Sequence, residues 1–535
     1  MNLKSNLPFV KANFMLLAIY WIIIYPVSHL EAIYEGDEYH IVSNLLCLIF
    51  TTLICANCLW YLNRNLVFYR TNSLKILLAA LGLSLLPVAV HIQQGMETLE
   101  FIQTTLIITV LFFSLHQMRC NKDTRHRIIF LMVQGCTLNV ILQDISPIIG
   151  YSVHTSECDL LLAGIAIIID LYLLLRTGYT VFNLISKFFI LVVLFLYVLH
   201  HLNIQFILVT VIPLLIIIFQ LCRETPRTAI SVLAIMAICI WVSHYLGFFK
   251  YFSLITELGE YISELITEVR TAQHVILLGN GANTFTFAHL LVYPNVYVAK
   301  PLSGILSATI HGGIFSLLSQ LTLCFFLFKY SFGTKTSSSE HISTLTLTLP
   351  FIAICLTTTH LNDCIPMTVS TAYILWFISC QHTVTKTTVK PLEIKIRRVP
   401  IALITASLLI FSVTGLVSVY RYQRIINTAQ CDDINAQIPN PFVLGKRLVD
   451  HEMDCVWNNL NTLPVQKWFD LYRHIEMNEI IPYRPRREIF INLMQSKSRY
   501  TPEQNQQIED LAVKLYPTIL TEINFTYSSK SELSN

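Results

Sequence analysis

His360 and Asp363 stand three residues apart in a short polar turn between two apolar runs, and Pro366 closes that turn. An imidazole and a carboxylate so placed form a pair that can accept, hold and pass on a proton. Arg270 and Lys300 lie in the long loop 247–301. A guanidinium offers a fork of donors to phosphate-type oxygens and an ammonium offers a point charge, so these two are the candidates for neutralising an anion. Charge at the edge of hydrocarbon is costly and is usually kept for a partner or a substrate. The plain alternative for His360 is an interfacial imidazole satisfied by its neighbours. In the same loop, Gly279-Asn280-Gly281 permits a tight turn with exposed amides. It lacks the strand-to-helix setting of a nucleotide fold, so an ordinary turn fits it equally well.

The elements that must position these groups are apolar. Over 535 residues, 54% are hydrophobic and 13% charged, and the mean hydropathy is +0.59, more apolar surface than a soluble fold can bury. The apolar runs have the length a helix needs to cross roughly 30 Å of hydrocarbon. Candidate spans fall near 8–26, 40–62, 74–91, 99–117, 127–148, 159–176, 178–200, 203–221, 228–246, 302–328, 344–359, 365–380 and 399–419. The expected fold is therefore all-α, a polytopic helical membrane protein of about thirteen spans. Two domains follow, a transmembrane core over 1–420 that includes the periplasmic loop 247–301, and a C-terminal periplasmic helical domain over 421–535.

Lys and Arg in short loops set the orientation. The loops with Arg64, Arg70 and Lys75, with Arg119, Lys122, Arg125 and Arg127, with Arg223 and Arg227, with Lys329 and Lys335, and with Lys386 to Arg398 fall on one side, which is cytoplasmic. Alternate loops are acidic or neutral, as at Glu31, Glu35, Asp37 and Glu38. The N-terminus is then cytoplasmic and the C-terminus periplasmic. Segment 177–221 holds Lys187 and the tight turn His200-His201-Leu202-Asn203, and the positive side of the Arg223 loop requires two spans there.

In the outer loop, Glu257, Glu260, Glu264 and Glu268 recur at helical spacing and predict a solvated acidic face. The tail predicts short helices over 443–457, 466–476, 487–495 and 502–515, divided by prolines. Of fourteen cysteines, Cys431 and Cys455 fall in the outer tail. An oxidising compartment there predicts a disulfide between them, with Cys158 and Cys364 a less favoured second pair.

Several classes are excluded. There is no basic stripe interleaved with aromatics, so no nucleic-acid partner is expected. There is no Cys-x-x-Cys pair or His-Glu-x-x-His helix, and neither a metal nor another cofactor is expected. The absence of a P-loop and of Gly-x-Ser-x-Gly argues against ATP-driven transport and an ordinary serine hydrolase.

The layout resembles the O-antigen ligase superfamily, and within it the pilin O-oligosaccharyltransferases of the PglL/PilO type. Gly279-Asn280-Gly281-Ala282-Asn283-Thr284-Phe285 is similar to the family's Gly-x-Gly-x-x-x-Phe. Ile310-His311-Gly312-Gly313-Ile314-Phe315 is similar to its Glu-Gly-Gly turn at a span, with His311 where Glu is common. His360 through Pro366 resembles the His-Ser-x-x-Glu-x-Pro motif, with Asp363 displaced by one position, and Ala512 through Pro517 resembles the end of the C-terminal module. Two family pairs are replaced. Leu302-Ser303 stands where His-Asn is usual, and His200-His201-Leu202-Asn203 where Ser-Arg is usual, which points to His201, His289, Lys300 or His311 as substitutes.

The resemblance implies transfer of a glycan from an undecaprenyl-diphosphate carrier to a protein hydroxyl, such as that of a pilin, at the periplasmic face of a bacterial inner membrane. It assigns catalysis to His360, Asp363 and His311 and a loop turn to Gly279 and Gly281, while donor diphosphate binding is expected of Arg270 and Lys300 from their position in the outer loop. The rivals are a lipopolysaccharide O-antigen ligase, an O-antigen polymerase and, outside enzymes, a lipid-linked glycan transporter or flippase. A transporter is expected to show internal repeats, and no inverted repeat is evident.

Overall fold

The computed structural model describes residues 7–27, 38–65, 72–90, 107–118, 120, 122–149, 157–176, 181–246, 254–281, 284–298, 301–332, 338–359, 365–384, 398–427, 437–440, 486–495 and 501–520. Most of those residues are helical, with no strand among them. Among the described residues five helices are long and apolar enough to cross a membrane, Lys122–Ile145, Glu157–Arg176, Ile204–Glu224, Pro226–Tyr245 and Gly304–Ser331. Shorter apolar helices, among them Pro8–Ile24, Ile107–Gln117, Leu184–His200 and Pro366–Cys380, fall on other expected spans. Large apolar side chains face outward, Phe219 70% exposed and Trp241 66%. An apolar surface of that kind suits lipid rather than water.

In chain order the helices are α1 (Leu7–Ile19), α2 (Glu38–Asn65), α3 (Asn72–Val90), α4 (Ile107–Gln117), α5 (Lys122–Ile149), α6 (Glu157–Arg176), α7 (Val181–His200), α8 (Ile204–Glu224) and α9 (Pro226–Tyr245). There follow α10 (Leu254–His274), α11 (Phe285–Val292), α12 (Gly304–Phe332), α13 (Ser338–Thr357), α14 (Ile365–Val384), α15 (Arg398–Asn427), α16 (Arg487–Gln495) and α17 (Pro502–Leu515). Segment 177–221 thus holds two helices. Asn203 caps the second by accepting the Phe206 amide at 2.8 Å, the oxygen-to-amide bond that starts a helix.

The chain forms two compact units, one of 1–82, 102–261 and 319–416, the other of 83–101, 262–318 and 417–535. At the centre of the first is α6, buried without interruption from Cys158 to Leu174. Apart from Asp159 and Asp170 that stretch is apolar on every side, as a helix enclosed by others must be, and α5, α7, α8 and α13 pack on it. At its C-terminal end Arg176 bonds Glu224 at the end of α8 (3.3 Å) and Ser343 near the start of α13 (2.7 Å). At its other end Asp159 is 3% exposed. It accepts from Tyr25 (2.8 Å), Asn139 and Gln143 (both 3.2 Å). Tyr197 at the end of α7 donates to Gln143 at 2.6 Å. Tyr25 follows a π-helical turn, Tyr20–Ile24, that departs from α1 geometry just before this network. π turns are frequent at functional sites.

The second unit has its own core. Leu290 of α11 packs with Phe490, Leu493 and Met494 of α16 and with Ile508, Ala512 and Leu515 of α17. Asn295 donates its amide to Leu515 at 2.9 Å. Segments 487–495 and 502–515 are helices as expected, and their apolar spacing is spent on this core; 443–457 and 466–476 lie outside the described residues.

Candidate functional site

The second unit carries the Gly279, Gly281 and His311 part of the candidate site, and its frame is backbone. Helix α12 breaks at Gly312 (φ −126°, ψ 15°) and Gly313 (φ 62°, ψ −149°). Gly313 sits in a region that side chains disfavour. A break strips the preceding carbonyls of their intrahelical donors, and buried carbonyls must find others. They find them in the Gly279 turn, where Asn280 N donates to Ile310 O at 2.7 Å and Gly281 N to His311 O at 3.0 Å. The turn itself needs positive φ at Gly279 (75°) and Gly281 (99°). A Cβ on Gly279 would stand 2.5 Å from His311 O and 2.6 Å from Gly313 N. One on Gly313 would stand 2.6 Å from Leu277 O. The two glycine segments, separate in sequence, are one interlocked backbone structure, and His311 is the last residue before the break.

In the same unit, Glu268 of α10 is 2% exposed. Its carboxylate accepts the amides of Leu302 and Ser303, the second at 3.2 Å. Ser303 in turn starts α12, its carbonyl taking Ser307 N at 2.8 Å. Burial raises the Glu268 carboxyl to about 7, the two amides opposing and Glu264 reinforcing the shift. A carboxyl poised there exchanges its proton near neutrality. The expectation of a solvated acidic face fails at this residue. Glu260 and Glu264 are exposed, but Glu268 lies on the buried face with Tyr261, Thr271 and Ala272. The signal for its burial is present in the sequence: it stands seven residues after Tyr261 and four before Ala272, which is one side of a helix.

His289 of α11 is 1% exposed and pairs through Nδ1 with Thr271 Oγ1 at 3.2 Å. Its ring lies between Phe285 (5.6 Å) and Tyr293 (5.2 Å). Burial holds it below the ordinary imidazole range, so it serves as a neutral, hydrogen-bonded core histidine. His311 is half-buried. Arg270 is exposed, on the side of α10 away from Glu268. His201 belongs to the first unit, its ring 4.7 Å from Tyr197 and 4.5 Å from His200. Lys300, His360, Asp363, Cys431, Cys455 and Cys364 lie outside the described residues. Cys158, in the first turn of α6, is disulfide-bonded.

The unit therefore brings together Gly279, Gly281 and His311 and adds Glu268, with Arg270 outward on the same helix as Glu268. Such a set holds His311 on a fixed backbone and, at the start of the same helix α12, an exchangeable acid on the Leu302 and Ser303 amides. Comparison with protein-family models and with curated proteins finds no match to this chain.

Proposed function

We propose that this chain is a glycosyltransferase of about thirteen spans in a bacterial inner membrane, transferring a glycan from undecaprenyl diphosphate to a protein hydroxyl at the periplasmic face. The observation that carries the reading is the interlock of the Gly279 turn with the His311-Gly312-Gly313 break, because these are two of the segments on which the resemblance rests. The acceptor oxygen attacks the anomeric carbon, the bond from that carbon to the diphosphate oxygen breaks, and undecaprenyl diphosphate leaves. His360 takes the hydroxyl proton, Asp363 orients it, and His311 stands with them in the catalytic set. Arg270 and Lys300 neutralise the charge that develops on the leaving diphosphate.

The disulfide at Cys158 supports an oxidising compartment at that end of α6, which the charge distribution assigns to the periplasm. The test is expression with a candidate pilin and a lipid-linked glycan, followed by intact mass. A glycan-sized shift on the pilin supports the reading; a lipopolysaccharide ladder without it means lipid A is the acceptor. Arg270→Ala is expected to lower transfer roughly a hundredfold while membrane insertion is kept.

Transport of the same lipid-linked glycan is the second reading. It is favoured by the broken helix α12 and by Asp170, fully buried in α6 beside Lys187, since transporters use interrupted helices and intramembrane charge. Movement of the labelled lipid across proteoliposomes, with no shift on the pilin, selects it.

A further inference from the structure

Two arginines of the first unit are treated in opposite ways. Arg176 is satisfied: Nε and Nη2 donate to Ser343 at 3.1 and 2.7 Å, and Nη1 meets Glu224 at 3.3 Å. Arg125, near the start of α5, is more deeply placed, 6% exposed, and its Nε and Nη1 have no hydrogen-bond partner among the described residues. Its neighbours are the Cys380 thiol, near the end of α14, and Cys120, just before α5. A thiol is a weak acceptor and does not compensate a guanidinium. A buried cation without an anion is strongly unfavourable.

The surroundings make the imbalance larger. His126, 6% exposed, has Lys122, Arg125 and Lys187 as cationic neighbours and Asp123 as its acidic one. Lys187 is engaged with the fully buried Asp170, and Asp123 is exposed. The rings of His126, Tyr172 and Phe377, 5.8 to 6.2 Å apart, close the cluster on its apolar side. Side chains in a helix lean toward its N-terminus, and the neighbouring Cys120 just before α5 agrees with that direction for Arg125, toward the first turn, whose amides have no intrahelical acceptors. A helix start with a buried guanidinium beside it, bonded to a thiol and with two nitrogens lacking a hydrogen-bond partner among the described residues, is suited to an anion.

We propose that Arg125, with Lys122 and the first-turn amides of α5, binds a phosphate-bearing anion at the end of the bundle that the Lys and Arg distribution assigns to the cytoplasm. Two sources supply that chemistry, the headgroup of an anionic inner-leaflet lipid and free phosphate. Arg125 lies in the polar first turn of α5, just before the apolar run that begins at Ile128, where a basic residue at the end of a span meets lipid headgroups. The site lies in the first unit and does not rest on the glycan-transfer reading.

The full-length protein, purified in detergent and stripped of lipid, tests this through its thermal unfolding midpoint. Titrations use phosphatidylglycerol, phosphatidylcholine or inorganic phosphate. Phosphatidylglycerol is expected to raise the midpoint more than phosphatidylcholine does, and Arg125→Gln to weaken the apparent affinity by roughly tenfold to a hundredfold, the loss for one charge-assisted hydrogen-bonded group. Stabilisation by inorganic phosphate alone, equally sensitive to Arg125→Gln, also supports the site and assigns it a soluble anion. Should Arg125→Gln fail to accumulate, Arg125→Lys keeps the charge without the fork and Lys122→Gln leaves the guanidinium; each is expected to show a weaker titration. Absence of any lipid- or phosphate-dependent shift in the wild type, or equal shifts in wild type and variants, overturns the proposal.

Discussion

The two compact units satisfy their buried polar groups by different means. In the first, side chains meet side chains: Asp159 collects Tyr25, Asn139 and Gln143 from residues 16 to 134 positions away. In the second, backbone meets backbone: the carbonyls of a broken helix take the amides of a glycine turn, and the buried carboxylate Glu268 also binds amides. The first arrangement depends on which side chains are present, the second on side chains being absent. The units should therefore answer mutation differently.

The largest effect is expected at Gly313. Gly313→Val adds strain at positive φ to a clash with the Leu277 carbonyl and should cost about 3 kcal/mol or more, seen as a collapse of the unfolding midpoint and of accumulation. A variant as stable as wild type would mean the interlock does not form.

Asp159→Ala is expected to follow, at about 2 kcal/mol, because it removes the acceptor of three buried donors, of which Asn139 keeps Tyr25 Oη at 3.3 Å. Asp159→Asn keeps an acceptor oxygen and should recover more than half of that loss. Equal damage from both would show that charge rather than hydrogen bonding holds the network. The measurement is the unfolding midpoint of each variant in the same detergent.

Glu268 sharpens the comparison through pH. Its carboxyl is raised from an ordinary 4.5 to about 7 in the folded unit. Its contribution is therefore fully present below about 4.5 and is lost as pH rises to 7, by at most about 3 kcal/mol. Glu268→Gln should flatten this part of the profile. An unchanged slope between pH 4.5 and 7 in the variant would place the titration elsewhere.

The smallest effect is at Thr271→Val, which removes the hydroxyl partner of His289 Nδ1 and should cost about 1 kcal/mol. Hydrogen exchange across α10 and α11 checks it; no local change would mean the pair contributes nothing measurable.

The same contrast explains what the sequence made legible. Local pattern located α16 and α17, the two helices of 177–221 and the glycine turn, because each is decided by neighbours within a few residues. Partnership was not legible. Four glutamates at helical spacing predict a helix, but Glu268 is buried because the start of α12, 34 residues on, supplies amides to it. Gly312 and Gly313 in an apolar run signal a turn, yet nothing local says that the freed carbonyls go to residues 280 and 281. Asp159 read as the start of a span, and its three donors arrive from α5 and from the segment after the π turn. Arg125 counted as one more cytoplasmic positive charge, and only burial distinguishes it from Arg127, which is exposed.

Glycan transfer is tested most directly by intact mass of a pilin co-expressed with this chain and a lipid-linked glycan, with wild type and His360→Ala brought to equal membrane levels. The account predicts a glycan-sized shift with wild type and none with His360→Ala. An unshifted pilin beside wild-type protein, in cells where the lipid-linked glycan is made and reaches the outer leaflet, would contradict it.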